Sequence, residues 1–227
     1  KEDLINYSSR HLNDNTIRAD LDEFSNRINT DNIRYRQQHI NIFRGEIQRK
    51  INEYLGNQDI FNLIFNKLLN KNLNNSIILY GSRGIGKASF VYYLSKHLFS
   101  KINQNTNNYN IKLSNDSNLI ENNSHPNFRI IEPEYDQIKK TYKKEINLDQ
   151  IRNLNNFLNL TSKEKLPKIV LIDSADQLNK NASNSLLKIL EEPKEFTYFF
   201  LISHHLNLLL PTIKSRCIKF NFNKPNY

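Results

Sequence analysis

Three short stretches carry residue types and spacings that could do phosphate chemistry. The first is "GSRGIGKAS", Gly81 to Ser89. Glycines at 81, 84 and 86 free the backbone to turn its N–H groups toward one centre, where they can close around phosphate oxygens. Lys87 would reach the β- and γ-phosphates of a nucleotide, and the helix expected to start there adds its positive dipole end. The candidate phosphate loop therefore comprises Gly81, Ser82, Arg83, Gly84, Ile85, Gly86, Lys87, Ala88 and Ser89. One member breaks the pattern: Ala88 stands where a hydroxyl would hold magnesium. Ser89, next along, is the one neighbour that could replace it.

The second stretch is "IVLIDSAD", Ile169 to Asp176. An apolar strand ending in a carboxylate places Asp173 to hold magnesium, usually through water. The residue that follows is Ser174, which cannot act as a base. Asp176 is expected to cap a helix. The third stretch is "PTIKSRC", Pro211 to Cys217, which puts Arg216 at a helix end just before a closing strand. A guanidinium is always charged and presents fixed planar donors, which suits a developing phosphoryl charge.

The elements that must position these residues follow from apolar patterning. "SIILY" (76–80), "NFRIIE" (127–132), "KIVLID" (168–173), "TYFFLIS" (197–203) and "CIKFNF" (217–222) are expected strands. Several are apolar on both faces, as buried parallel strands are. Helices are expected after the glycine loop through Phe90, Tyr93, Leu94 and Leu98, over residues 147–160 with Asn147 or Asp149 near the cap, and through Leu178, Ala182, Leu186, Leu187 and Leu190 up to Pro193. The Asn-rich segment 101–124 is expected to be a long loop. Strand–helix alternation of this kind gives a parallel α/β sheet with ligands at the carboxyl ends of its strands. Upstream, Ile17, Leu21, Phe24 and Ile28, then Ile40, Phe43, Ile47, Ile51 and Leu55, repeat at helical spacing.

Composition narrows the class. The 227 residues are 38% hydrophobic, enough for one substantial core. No apolar run reaches the length of a membrane span, and no secretory pattern opens the chain. The lone cysteine, Cys217, rules out an internal disulfide and a Cys-rich zinc site, and points to a reducing, cytoplasmic setting. The net charge of +9 is uneven: residues 1–55 hold nine Lys+Arg against nine Asp+Glu, while residues 56–227 hold 23 against 14. Basic types also shift from Arg to Lys at this point. The boundary suggests a helical extension, residues 1–53, ahead of a domain at 54–227. The basic excess suggests a polyanionic partner, although an AT-rich coding bias would also enrich Lys.

The motifs together carry a resemblance. "YLGNQDIFNLIFNKLLNKNLNNSIILYGSRGIGKASF", "SHPNFRIIEPEYD", "KKEINLDQIRNLNNFLNL", "KIVLIDSADQLNKNASNSLLKILEEP" and "LLLPTIKSRC" follow in the order of the clamp-loader branch of the AAA+ family. The chain is similar to the delta-prime subunits of the bacterial DNA polymerase III clamp loader over residues 54–222. The resemblance implies a five-stranded parallel sheet flanked by helices, an AAA+ P-loop NTPase-like fold. It implies that Arg216, within Ser215-Arg216-Cys217, acts as an arginine finger across a subunit interface. It implies partners: an ATPase subunit and a delta-like subunit of the loader, with the sliding clamp and primer–template DNA met through the assembly and no membrane. It implies a place in DNA replication, as part of the polymerase III holoenzyme.

The departures are informative. Hydrolysing members typically carry a hydroxyl after the loop lysine and an acid after the strand-end Asp, where this chain has Ala88 and Ser174. Weak binding of ATP or ADP with magnesium, and little or no hydrolysis, is therefore expected. A four-cysteine zinc module is common in the family, but 101–124 holds no Cys, so no zinc is expected. The family's lid and collar lie beyond Tyr227, so a fragment or shortened member is expected. Two alternatives stand beside this reading: an active motor ATPase of the loader, and an AAA+-like adaptor outside replication.

Overall fold

The computed structural model describes residues 49–50, 56–104, 115–136, 138, 141–160 and 166–223. The helical periodicity anticipated over residues 13–48 and 51–55 lies outside the described residues. In chain order the elements are α1 (Gln58–Leu69), β1 (Ser76–Tyr80), α2 (Lys87–Gln104), α3 (Asn115–Glu121), β2 (Phe128–Ile131), β3 (Tyr135–Asp136), β4 (Thr141–Tyr142), α4 (Leu148–Asn159), β5 (Lys168–Ile172), α5 (Lys180–Glu191), β6 (Thr197–Ser203), α6 (Pro211–Arg216) and β7 (Ile218–Asn221). Single 3₁₀ turns cover Ala175–Gln177 and Leu206–Leu208.

Five strands form one sheet in the order β2-β5-β6-β1-β7, every pair parallel. This is the expected fold class. Its cause is visible in how the strands divide their side chains. Ile77 and Leu79 of β1, Ile169 and Leu171 of β5, and Phe200 and Ile202 of β6 enter one core with Phe61, Ile64 and Leu68 of α1 and Leu94, Leu98 and Phe99 of α2. Their alternates Ile78, Val170, Ile172, Phe199 and Leu201 enter a second core with Ile151, Leu154 and Phe157 of α4, Leu186 and Leu190 of α5 and Ile213 of α6. Each side chain of this size contributes about 1.5–3 kcal/mol when fully buried. Two apolar faces thus demand helices on both sides of the sheet, which antiparallel hairpins would not provide.

The helix ends are secured by specific side chains. Asn147 caps α4 in a reciprocal box: its side chain accepts from the Gln150 N–H at 3.0 Å, and the Gln150 side chain accepts from the Asn147 N–H at 3.0 Å. Asn179 caps α5 through the Ala182 N–H at 2.9 Å. At the other end of α4, the Lys168 ammonium donates to the Phe157 and Leu158 carbonyls at 2.8 and 3.1 Å and to that of Leu160. A cation set there satisfies orphan carbonyls and the negative end of the helix dipole together.

Two stretches depart from the sequence expectation. The segment 101–124 is not one long loop: α2 runs on to Gln104, and α3 occupies Asn115–Glu121. Polar side chains tie these helices together. Lys96 pairs with Glu121 at 2.6 Å, His125 with Asp116 at 3.4 Å, and Asn103 donates to Asp116 at 2.8 Å. The other departure is an antiparallel hairpin of β3 and β4, where the Tyr135 and Tyr142 rings meet edge-to-face at 5.2 Å.

Candidate phosphate-loop site

Strand β1 ends at Tyr80, and the chain turns sharply into Gly81–Gly86 before α2 begins at Lys87. Gly81 holds φ at +145°. A Cβ there would fall 2.3 Å from the Phe222 carbonyl oxygen and 2.9 Å from the Ile85 side chain, so no other residue fits. Gly84 and Gly86 hold φ at 83° and 87°. These conformations curl the chain between the end of β1 and the start of α2.

Lys87 is buried and closes the loop from within. Its ammonium donates to the Gly81 and Ser82 carbonyls at 2.8 and 2.7 Å. A third contact reaches His204 Nδ1 at 3.1 Å. Burial pulls the ammonium down to about 8; Asp173 and Asp176 work against this shift, and Arg83 adds to it. Ala88 and Ser89 are both buried behind the loop.

Asp173 follows the last residue of β5, and its N–H donates to the Ile131 carbonyl at 2.8 Å. Burial and the neighbouring Glu132 raise its carboxyl to about 6. The register explains the neighbour: Ile131 lies opposite Ile172, so Glu132 and Asp173 leave adjacent parallel strands at one level. Arg49 offsets Glu132 through an ion pair of 3.2 Å, and Gln150 Nε2 donates to the Glu132 carbonyl at 2.8 Å. Ser174 sits at φ 63°, in the left-handed region, as the chain swings out of β5. Asp176 does not cap a helix as anticipated. Its carboxylate accepts from the His204 N–H at 3.1 Å and so fixes the end of β6.

His204 is the residue that sequence reasoning missed. It follows β6, the strand between β1 and β5, and its ring lies between Lys87 and Ser174. An imidazole that accepts from Lys87 at Nδ1 carries its proton on Nε2, which faces the Ser174 hydroxyl at 3.4 Å. Burial first, then Lys87, bring its pKa down to about 4. The only available signal was a polar residue directly after an apolar strand, and its meaning depends on the strand order.

The loop gathers three glycines of positive φ and the Lys87 ammonium in one turn, with the ammonium bonded to the loop's own carbonyls. Asp173 follows β5 at the carboxyl edge of the sheet, and Ala88 has no side-chain oxygen. Among the described residues, no group of three or more His, Cys, Asp and Glu could hold a metal ion. No described helix is long and apolar enough to cross a membrane.

Arg216 stands apart from all of this. It ends α6, two residues before β7, and Ile218 lies opposite Ile77 in the parallel β1–β7 pair. Arg216 thus belongs to the amino edge of the sheet, whereas the loop leaves the carboxyl edge. At about 3.3 Å per strand residue, roughly 20 Å separate the two along the strands. Its guanidinium donates to the Thr212 carbonyl at 3.0 Å and to the Glu191 carboxylate at 2.5 Å.

A parallel sheet in this order, with a glycine loop after β1 and an aspartate after β5, is the α/β core of the AAA+ class. Within that class, the chain belongs to the family described as DNA polymerase III, delta subunit, whose model matches residues 56–226. It is similar to DNA polymerase III subunit delta' of Pseudomonas aeruginosa, with 35% identity over 145 residues, 64% of this chain and 42% of that protein. It is also similar to subunit delta' of Bacillus subtilis, with 31% identity over 158 residues, 70% of this chain and 45% of that protein. Among solved structures, it resembles a DNA polymerase III gamma-subunit-related protein from Thermotoga maritima at 22% identity and TM-score 0.49, covering 73% of this chain and 46% of that one. The chain spans less than half the length of these relatives.

Proposed function

We propose that the chain is a non-motor, delta-prime-like subunit of a replicative clamp loader, supporting ATP-dependent placement of the sliding clamp on primer–template DNA. In this reading it packs against an ATPase subunit and a delta-like subunit, and offers Arg216 to the ATP of its ATPase neighbour. Its own loop binds ATP or ADP weakly, with Asp173 toward magnesium. Hydrolysis is negligible, because Ala88 gives no hydroxyl to the metal and Ser174 gives no base to water. A positioned base or water-orienting group is typically worth about 10²–10⁴-fold in rate.

One observation carries the reading: Arg216 and the loop lie at opposite edges of one sheet. An arginine side chain spans about 7 Å, far less than the roughly 20 Å between them. Arg216 therefore has no route to a phosphate on its own chain, and any nucleotide it meets belongs to another molecule. Family membership supports the choice of a clamp loader as that assembly.

The test is ATP turnover of the reconstituted loader with clamp and DNA present, comparing wild type with Arg216→Ala and Arg216→Lys. Arginine fingers are worth roughly 10³–10⁵-fold in some NTPases, and a multi-site assembly would show a smaller loss. Lysine should rescue poorly, since it lacks the planar fork. Unchanged turnover, with assembly confirmed, would remove the role given to Arg216.

A further inference from the structure

The contacts of Arg216 are more selective than a solvated surface charge requires. Its Nη1–H donates to the carbonyl of Thr212, one turn back in its own helix, at 3.0 Å. Its Nη2–H donates to Glu191 Oε1 at 2.5 Å, across to a helix that ends 25 residues earlier. Glu191 is the last residue of α5; Glu192 has left helical geometry and Pro193 follows. A carboxylate at a helix C-terminus meets the negative end of the dipole and is unfavourable there without a cation. Lys188 is the basic residue of that last turn, and Arg216 is the cation bonded to the carboxylate itself.

We infer that Glu191 is a positioning residue for Arg216: it holds the guanidinium in place at the α5–α6 corner by one edge and leaves the remaining edge free to meet a phosphate of a neighbouring molecule. A guanidinium has five N–H donors. Thr212 and Glu191 use two, so three remain: the Nε–H and one on each Nη. The arginine side chain is 37% exposed, so it is anchored without being enclosed. An arginine held by two anchors has fewer rotamers to give up when it meets a phosphate, which favours the bonded state over a freely rotating one. The pair is half-exposed, so its bias is modest, roughly two- to fivefold in population.

The inference rests on the reading of Arg216 proposed above, and the test separates the two. The loader is reconstituted with wild type, Glu191→Ala, Glu191→Gln, Arg216→Ala and the Glu191→Ala/Arg216→Ala double variant. Assembly is checked by gel filtration, and kcat and KM for ATP are measured with clamp and DNA present. Arg216→Ala should give the largest fall in kcat. Glu191→Ala should lower kcat roughly two- to fivefold with KM within about twofold. Glu191→Gln, which keeps an acceptor oxygen but no charge, should fall between. The double variant should match Arg216→Ala alone, because Glu191 acts through the arginine.

The contrary outcomes are distinct. An unaffected Arg216→Ala assembly overturns both the finger and its positioning. A loss in Arg216→Ala with no change in Glu191→Ala and Glu191→Gln overturns the positioning alone. So does a rise in kcat on removing Glu191, which would make the carboxylate a restraint. An equal loss from Glu191→Ala in the Arg216→Ala background would make Glu191 merely structural.

Discussion

The two edges of the sheet treat their cations in opposite ways. At the carboxyl edge, Lys87 is buried, bonded to two loop carbonyls and to His204, and its charge is weakened by its surroundings. At the amino edge, Arg216 is held at one side only and remains partly exposed. The first cation is built into the fold, whereas the second is fastened to its surface. The difference matters because a group woven into backbone contacts cannot be changed without cost to the structure. A group on the rim can be altered with little effect on folding, so any large effect of altering it must arise in function.

The comparison predicts that the carboxyl edge fails first. Gly81→Ala should produce the largest loss of stability. Its new Cβ would meet a backbone oxygen at 2.3 Å, in a conformation with φ of +145°. Strain and overpacking each cost about 1–3 kcal/mol, so about 3–5 kcal/mol is expected together. In a domain of this size that lowers Tm by about 10 °C or more. A melting curve indistinguishable from wild type would mean the loop can shift away from Phe222, contrary to the packing described.

Lys87→Ala should be milder for the fold and complete for the ligand. It leaves the Gly81 and Ser82 carbonyls without their donor, a cost of about 1–3 kcal/mol. Titration with a fluorescent ATP or ADP analogue should show weak to moderate binding in wild type and none in the variant. Equal affinity in both would place nucleotide somewhere other than this loop.

These two positions also mark what the sequence made legible. The glycine spacing and Lys87 lie in one contiguous stretch and Asp173 in another, each beside a strand apolar on both faces, so local pattern alone marked them as candidates. The strands at Ser76–Tyr80 and Thr197–Ser203 have the anticipated bounds for the same reason. The polar links were hidden because they join distant residues. His204 meets Lys87 only because β6 lies beside β1, and Glu191 meets Arg216 only because α5 packs on α6. The helix α3 was obscured by its composition, since "NDSNLIE" offers two adjacent apolar residues and no helical repeat. The β3–β4 hairpin has two residues per strand, too few for an alternation to show.

A smaller effect should appear with pH. His204 and His97 are both brought down to about 4, chiefly by burial, from an ordinary 6.5. The native state then binds fewer protons than the unfolded chain between these values, so stability falls as pH drops from about 6.5 toward 4. Asp173, raised from 3.8 to about 6, has the opposite sign: it adds stability as pH falls through that window. The groups acting on His204 are Lys87, Asp176, Arg83 and His205, with the Ser174 hydroxyl in contact. His204→Asn removes one of the two histidine contributions and leaves Asp173 in place. Its Tm should therefore fall less between pH 7 and pH 5 than that of wild type, by a few degrees. An identical fall would mean that the imidazole is not held neutral between Lys87 and Ser174.

The smallest effect on the fold belongs to the amino edge. Arg216→Ala breaks a half-exposed pair with Glu191, an interaction worth about 0–1 kcal/mol in most such pairs. The backbone at Arg216 is the last turn of a helix, where alanine is well accepted. Neither core loses a side chain, because the nearby buried residues Ile213 and Cys217 remain in place. Tm of the isolated chain should thus shift by less than about 4 °C. Measured beside the turnover of the assembled loader, this value separates two kinds of loss. If the variant melts like wild type while the neighbour's ATP turnover collapses, the arginine acts outside its own chain. If Tm falls by 10 °C or more, the contrast between the two edges is wrong, and Arg216 is as much a part of the fold as Lys87.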